Sequence, residues 1–149
     1  MSITKEEVAE VVRGYMAAYD NHDVQTIVAM GAGEVGFGFR KKAWRDWASL
    51  GESARFAENE QFFGQMDYYR LNLEDLQTSV AGDIGLAWGV FIEDFQVKGR
   101  PPERARVRFS HALSKGERGW QVLLFHRDIQ PFDEEGCYVT ELTVNSPIT

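Results

Sequence analysis

The sequence predicts an α+β fold, in which a curved antiparallel sheet wraps around N-terminal helices and forms a cone with an internal pocket. Apolar residues recur at helical spacing in much of residues 5–63, whereas residues 67–129 show mainly period-two alternation. Helices followed by antiparallel strands are typical of helices packed on one face of a sheet. With 149 residues, the chain has the length of one domain. We expect residues 1–149 to form that domain, with residues 133–149 as a flexible tail.

The first two helices are predicted from their start signals and their apolar stripes. Thr4 followed by Glu7 is a capping-box pattern, so a helix should begin near residue 5. Its apolar stripe consists of Val8, Val11, Val12, Tyr15, Met16 and Tyr19. Asp23 can cap a second, short helix. The buried side of that helix should carry Ile27, Val28 and Met30.

The next segment predicts a short strand and a third helix. Apolar side chains at every second position between residues 35 and 39 favour the strand. A helical stretch then begins at Trp44, is interrupted at Gly51, restarts at Ser53 and closes at Gly64. The glycines of residues 31–38 lack the GxGxxG order of a phosphate-binding loop.

Alternation of apolar and polar residues predicts the strands of the sheet. The alternating or apolar segments are residues 69–73, 76–80, 84–95, 106–114 and 120–129. Turn signals separate the later ones at residues 82–83, 99–102 and 115–119. On the strand over 106–114, Val107, Phe109, His111 and Leu113 point the same way. One sheet face should therefore cover the helices, and the other should be wet or cover a second subunit.

Charge and composition exclude several classes of function. The net charge is −7, which is unfavourable for binding nucleic acid. Residues 100–127 nevertheless hold seven basic and two acidic residues, which form either a solvated strand face paired with acidic neighbours or a positive field for an anionic ligand. The single cysteine, Cys137, excludes an internal disulfide framework and a cysteine zinc site. We expect no metal, no cofactor, no nucleic-acid or membrane partner and, without a secretory signal, a cytoplasmic location.

Two stretches of the sequence resemble the nuclear transport factor 2-like superfamily. This superfamily has a cone-shaped, cystatin-like fold and includes ketosteroid isomerases, polyketide cyclases and the association domain of calcium/calmodulin-dependent kinases. Residues 10–18 with residues 23–30 look like the opening helix pair of a ketosteroid isomerase. Arg108-Phe109-Ser110, then Gly119-Trp120, then His126-Arg127 look like the final hairpin of the kinase association domain. The resemblance implies the fold more strongly than any activity.

The isomerase resemblance implies one catalytic position and leaves two others empty. Tyr15 falls where the isomerase has its oxyanion-hole tyrosine. The position of the carboxylate base is Phe39 here, and the second oxyanion donor falls near Ser110 or His111, where no aspartate stands. Ketosteroid isomerase activity is therefore rejected.

The association-domain resemblance implies two further polar residues inside the cone. Arg127 follows the last-strand histidine, as a pocket-facing arginine does in that domain, and His111 falls where the domain has another pocket arginine. Together with Tyr15, these are the candidate catalytic residues. The candidate pocket residues are Tyr19, Trp44, Trp47, Phe56, Phe63, Trp88, Phe109 and Phe125.

Each of these polar residues also has a purely structural interpretation. His111 can be a buried histidine bonded to a neighbour. Arg127 can form a buried ion pair with an acid such as Glu60 or Glu34. Tyr15 can pack in the core with its hydroxyl satisfied.

Two functions follow from these observations. In the first, the chain is a small-molecule pocket protein that binds an apolar or aromatic ligand with a carbonyl or carboxylate. Isomerase, cyclase or dehydratase chemistry would then use Tyr15 and Arg127 to stabilise an oxyanion and His111 to move a proton. In the second, the chain is a non-catalytic association module. Its homodimer would form through the outer sheet face, where Trp120, Val122 and Leu124 are predicted to point outward.

Overall fold

The computed structural model describes residues 2–31, 35–37, 44–46 and 51–130. Within these ranges the elements are α1 Lys5–Asp20, α2 Val24–Met30, β1 Val35–Phe37, β2 Trp44–Asp46, α3 Glu52–Gly64, β3 Met66–Ala81, β4 Ile84–Val97, β5 Glu103–Gly116 and β6 Gly119–Ile129. The predicted α+β class is confirmed. The predicted tail over residues 133–149 lies outside the described residues, as do Trp47, Phe39 and Glu34.

The predicted helix caps are confirmed. The Glu7 N–H donates to Thr4 Oγ1 at 3.1 Å, and the Thr4 N–H donates to Glu7 Oε2 at 2.8 Å. Asp23 caps α2, because its Oδ1 accepts from the Thr26 N–H at 3.2 Å. Both helices thus begin where side chains satisfy the free N–H groups of the first turn.

The sheet has six strands in the order β2-β1-β6-β5-β4-β3. Neighbouring strands are antiparallel except β1 and β6, which are parallel. The predicted helical stretch is wrong at residues 44–46, because these residues pair with β1 as strand β2. Pairing with residues distant in sequence overrides the local helical spacing there. The helix itself, α3, begins at Glu52.

A β-bulge changes which residues of β6 face the helices. Ala112 pairs with Leu124, but the next residue, Leu113, pairs with Val122, so β6 contains one extra residue. Val122 is therefore fully buried, whereas Leu124 is 41% exposed. The prediction that Trp120 and Val122 point outward is wrong, because a one-residue shift moves side chains to the other face.

The core lies between α1 and the inner sheet face. Its fully buried side chains are Val8, Val12, Val107, Leu113 and Val122. Gly85 lets α1 approach the sheet, since a Cβ built there would lie 2.6 Å from Val8 Cγ2. The candidate residue Tyr15 and its neighbour Tyr19 lie further along α1, towards its C-terminal end.

Candidate functional site

The C-terminal end of α1 is fixed to β3 by polar contacts. Asp20 Oδ1 accepts from the Leu71 N–H at 2.9 Å and from Arg70 Nε at 3.0 Å. Burial raises the pKa of Asp20, but these hydrogen bonds outweigh it and hold the pKa below its usual value. Just beyond the helix, His22 adopts a φ of 56°, and its Nε2 lies 2.9 Å from the Tyr69 carbonyl oxygen. These contacts orient α1 on the sheet.

His111 projects from β5 into the interior and is only 3% exposed. Its ring centroid lies 5.8 Å from that of Tyr15, 5.1 Å from that of Phe109 and 5.2 Å from that of Phe125. Among the residues that the structure describes, none forms a hydrogen bond with either ring nitrogen. Burial lowers the pKa of His111 to about 4, so the imidazole is neutral at pH 7.

Tyr15 and Tyr19 on α1 extend the line of polar side chains that begins at His111, and these three residues form a polar row. The two tyrosine hydroxyl oxygens are 3.5 Å apart, and the tyrosine rings meet edge to face with centroids 5.3 Å apart. Both line a cavity of about 50 Å³ between the helices, together with Ile27, Val28, Gly31, Arg55 and Asn59. This volume suits one or two water molecules rather than an aromatic ring. Helix α3, which flanks the cavity, has no buried residue.

A second polar group, the triad Tyr69, Glu93 and Arg127, lies on the same inner face; Tyr69 and Glu93 are buried, and Arg127 is partly exposed. Arg127 Nη1 donates to Glu93 Oε2 at 3.3 Å, and Arg127 Nη2 donates to Glu93 Oε1. The Tyr69 hydroxyl donates to Glu93 Oε2. Burial, with the Glu93 charge beside it, raises the pKa of Tyr69, so its phenol stays protonated. Burial lowers the pKa of Arg127, but Glu93 outweighs this effect and the pKa is raised.

The row and the triad are neighbours inside the cone. Arg127 pairs with Phe109 across β5 and β6, and Phe125 pairs with His111, so Arg127 and His111 project diagonally from one sheet face. Phe63 also links the two groups, because its ring centroid lies 6.3 Å from that of Tyr19 and 5.7 Å from that of Tyr69. The three candidate catalytic residues therefore share the interior, and Phe63 packs against both the row and the triad.

The predicted pocket residues do not all face this interior. Phe109 is buried in the core, and Tyr19, Phe63 and Phe125 pack against it. Phe56 is partly exposed on α3. Trp88 is 45% exposed, because β4 turns its odd-numbered residues inward and its even-numbered residues outward. The side chain of Trp44 is not among those described, although its backbone lies in β2.

Arg127 forms an ion pair, as its structural interpretation predicted, but the acid is not Glu60. The bond runs to Glu93 on β4 rather than to Glu60, which is exposed on α3. Sequence reasoning missed Glu93 and Tyr69 as members of the site. The signal was nevertheless readable, because Glu93 shares strand parity with Phe91 and Phe95 and is therefore the acid placed on the inner face.

The basic residues of β5 lie mainly in ion pairs on the outer sheet face. Arg108 donates to Asp128 at 2.8 Å, and the hydrogen bond holds the pKa of Asp128 below its usual value. Arg106 donates to Glu74 at 2.9 Å. These contacts agree with the first of the two interpretations of residues 100–127, a solvated strand face that is paired with acidic neighbours.

The described residues contain neither a candidate metal site nor a candidate membrane-spanning helix. No cluster of three or more histidine, cysteine or acidic side chains is suitably placed there to hold a metal ion. Among the same residues, no helix combines the length and the apolar character that a membrane span requires.

Comparison with known proteins shows the fold. No protein-family model matches the chain, and no curated protein matches it. An NTF2-like protein of unknown function from Pseudomonas putida is 22% identical, with a TM-score of 0.65 over 93% of this chain and 95% of that one. The CaMKII hub of S. rosetta is 17% identical, with a TM-score of 0.63 over 87% and 98%. A ketosteroid isomerase-like protein from Erwinia carotovora atroseptica is 13% identical, with a TM-score of 0.63 over 82% and 92%.

These likenesses cover most of each chain, and they agree with the predicted resemblance. The chain has the nuclear transport factor 2-like, cystatin-like fold. Isomerase-like proteins and association domains both have this fold, so the fold alone does not give the function. The function has to be inferred from the polar side chains on the inner face of the sheet.

Proposed function

We propose that this chain is a small-molecule pocket protein, whose ligand is apolar or aromatic and carries an oxygen group such as a carbonyl or carboxylate. The observation that carries the proposal is His111. A polar side chain buried this deeply costs free energy unless it is hydrogen-bonded, and no described residue bonds either ring nitrogen. A ligand oxygen next to the imidazole would supply the bond.

The surroundings of His111 match such a ligand. Phe109 and Phe125 contact the imidazole and provide apolar walls, while Tyr15 places a phenol ring against it. A neutral imidazole offers one N–H donor and one acceptor nitrogen. In a catalytic form of the proposal, Tyr15 stabilises developing negative charge on the ligand oxygen, Arg127 assists through N–H groups that are not bonded to Glu93, and His111 moves the proton.

Access for the ligand involves α3. The cavity beside Tyr15 and Tyr19 has a volume of about 50 Å³, which is smaller than an aromatic ring needs. Within α3, Phe62 and Phe63 near the C-terminal end pack against the core, whereas no residue of the helix is fully buried, so its N-terminal part can move outward at a small cost in packing. A bound ligand should therefore slow amide hydrogen exchange over residues 52–64.

The experiment is a titration followed by amide NMR, with acetophenone as the probe. We expect shifts at residues 109–111 and 125–127 in the wild-type protein. His111→Phe removes the polar partner and should weaken binding about tenfold, the value of one to two hydrogen bonds. Trp88→Phe, on the outer face, is the matched control and should bind like the wild type. Equal affinity of the His111→Phe protein would refute the proposal.

A second candidate function is homodimeric association without chemistry. The observation that favours it is the outer sheet face, where Trp88 and Leu124 are 45% and 41% exposed. Exposed large apolar side chains on one face are typical of surfaces that bind another protein. The likeness to the CaMKII hub supports the same candidate. Sedimentation of the purified protein at micromolar concentration tests it, because a monomer would contradict association through this face.

A further inference from the structure

We infer that the interior selects uncharged ligands over carboxylates, because Glu93 already occupies the guanidinium of Arg127 as a ligand carboxylate would. The inference rests on the proposed function, since it concerns the ligand of the same interior. It narrows the ligand to an uncharged molecule with a carbonyl or hydroxyl oxygen, and it assigns Glu93 as the residue that determines this specificity.

Glu93 accepts hydrogen bonds from both terminal nitrogens of the Arg127 guanidinium. Arg127 directs Nη1 to one carboxylate oxygen and Nη2 to the other, which is the two-point geometry of arginine binding a carboxylate. The Tyr69 hydroxyl adds a third donor. Since three donors converge on Glu93, its carboxylate serves as an acceptor and carries the negative charge of the pair.

The charges of the interior therefore cancel. Arg127 is positive, Glu93 is negative, and His111 and Tyr69 are neutral at pH 7. A carboxylate bound beside them would add a buried charge without a counter-ion, which is strongly unfavourable. An uncharged oxygen needs only the hydrogen bonds that His111 and Tyr15 can offer.

Displacement of Glu93 by a ligand is also unfavourable. The Glu93 side chain is 5% exposed, whereas that of Arg127 is 30% exposed. A carboxylate that took the guanidinium would leave Glu93 buried and unpaired, at a cost above that of an ordinary hydrogen bond. The same exposures mean that Arg127 becomes reachable by an anion once the negative charge of Glu93 is removed.

The test compares benzamide and benzoate, which have the same shape and differ in charge. Binding is measured by amide NMR and calorimetry for the wild type and for Glu93→Gln. The glutamine can still accept hydrogen bonds from Arg127 and Tyr69 but carries no charge. We expect the wild type to prefer benzamide, and Glu93→Gln to bind benzoate at least about tenfold more tightly than the wild type does.

Asp128→Asn is the matched control. It removes one negative charge from the outer face of β6, where Asp128 pairs with Arg108, and therefore changes the net charge equally. It should leave the preference for benzamide unchanged. A gain in benzoate affinity for Asp128→Asn equal to that for Glu93→Gln would attribute the effect to overall charge and overturn the inference.

The remaining outcomes separate the inference from the proposed function. Wild-type protein that binds benzoate more tightly than benzamide overturns the inference even if Glu93→Gln does not fold. Wild-type protein that binds benzamide, with no gain of benzoate binding by Glu93→Gln, overturns the role assigned to Glu93 and leaves the proposed function standing. Binding of neither probe by either protein refutes both.

Discussion

The buried imidazole of His111 lowers the stability of the folded protein, although it is the residue on which the proposed ligand site depends. The imidazole is almost fully buried among aromatic rings, and no described residue satisfies its nitrogens. A buried polar group without a partner costs the folded protein about 1–3 kcal/mol. Local strain or unsatisfied polarity of this kind is common at binding sites, where a ligand relieves it.

His111→Phe should remove a pH dependence of stability. The folded-state pKa of His111 is lowered to about 4 from an ordinary value of 6.5, because burial disfavours the charged ring. Between these values the unfolded chain binds the proton and the folded protein does not, so the stability contribution is lost as pH falls from about 6.5 to 4. We expect the free energy of unfolding of the wild type to fall by about 3 kcal/mol relative to the variant over this interval.

Urea unfolding at pH 7, 5.5 and 4 measures this difference. Phe91→Leu is the control, because it alters a buried ring that packs against Phe109 rather than His111 and removes no titrating group. Its effect on the free energy of unfolding should be the same at every pH. A parallel decline of the wild type and His111→Phe with falling pH would show that another group is responsible.

The inward positions of Tyr15 and Arg127 could be predicted from the sequence, whereas their roles at a site stay predictions. Tyr15 lies on a helical stripe, and Arg127 follows from the resemblance of the last hairpin. Glu93 was missed, although the strand parity that it shares with the inward Phe91 marks it as an acid on the inner face. The same parity places Trp88 outside, so its assignment to the pocket followed from counting aromatics rather than from strand geometry.

At the scale of elements, the sheet around the site has three irregularities of strand register, one of them between Met66 and Tyr68 on β3, next to Tyr69. Two others bear on the packing of the sheet. One lies on β6 opposite Ala112 and Leu113, and the other lies on β3 between Leu73 and Asp75. A bulge bends its strand and increases the local twist. At the second bulge the β3 backbone comes so close to β4 that a Cβ at Gly89 would lie 1.9 Å from the Asp75 carbonyl oxygen.

Gly89→Ala should therefore destabilise the fold. Strand backbone must shift to make room for the methyl group, and overpacking of this kind typically costs about 1–3 kcal/mol. Gly14→Ala is the matched control, because a Cβ on that α1 residue would meet nothing within 4 Å. Alanine should stabilise the helix there by about 0.5–1 kcal/mol. Thermal unfolding measures both variants, and equal melting temperatures for Gly89→Ala and the wild type would contradict the close approach.

Helices and strands could be predicted where the pattern that indicates them lies within a few neighbouring residues. Helices α1 and α2 follow from caps and spacing within a few residues, and both are confirmed. Strand β2 was predicted as helix because its pairing with β1 depends on residues elsewhere in the chain. The bulge on β6 leaves no mark on the alternating sequence, so the orientations of Trp120 and Val122 were inverted.

At the scale of the whole molecule, the two sheet faces have different roles. The inner face carries the core, the row and the triad. The outer face carries ion pairs such as Arg108–Asp128 beside the exposed apolar side chains of Trp88 and Leu124. An interface with an apolar centre and a charged rim is typical of protein–protein contacts, and a twofold dimer would bring the same patch of both copies together.

Trp88→Glu tests whether this face forms the homodimer. A charge in the centre of the apolar contact would be buried twice in a twofold dimer, so we expect the association to weaken at least about a hundredfold. Tyr68→Glu is the matched control: it introduces the same charge at a comparably exposed aromatic on β3, an edge strand of the sheet. Sedimentation at micromolar concentration should show a dimer for the wild type and Tyr68→Glu, and a monomer for Trp88→Glu. A monomeric wild type, or a dimer that survives Trp88→Glu, would exclude association through this face and leave the interior as the functional part of the fold.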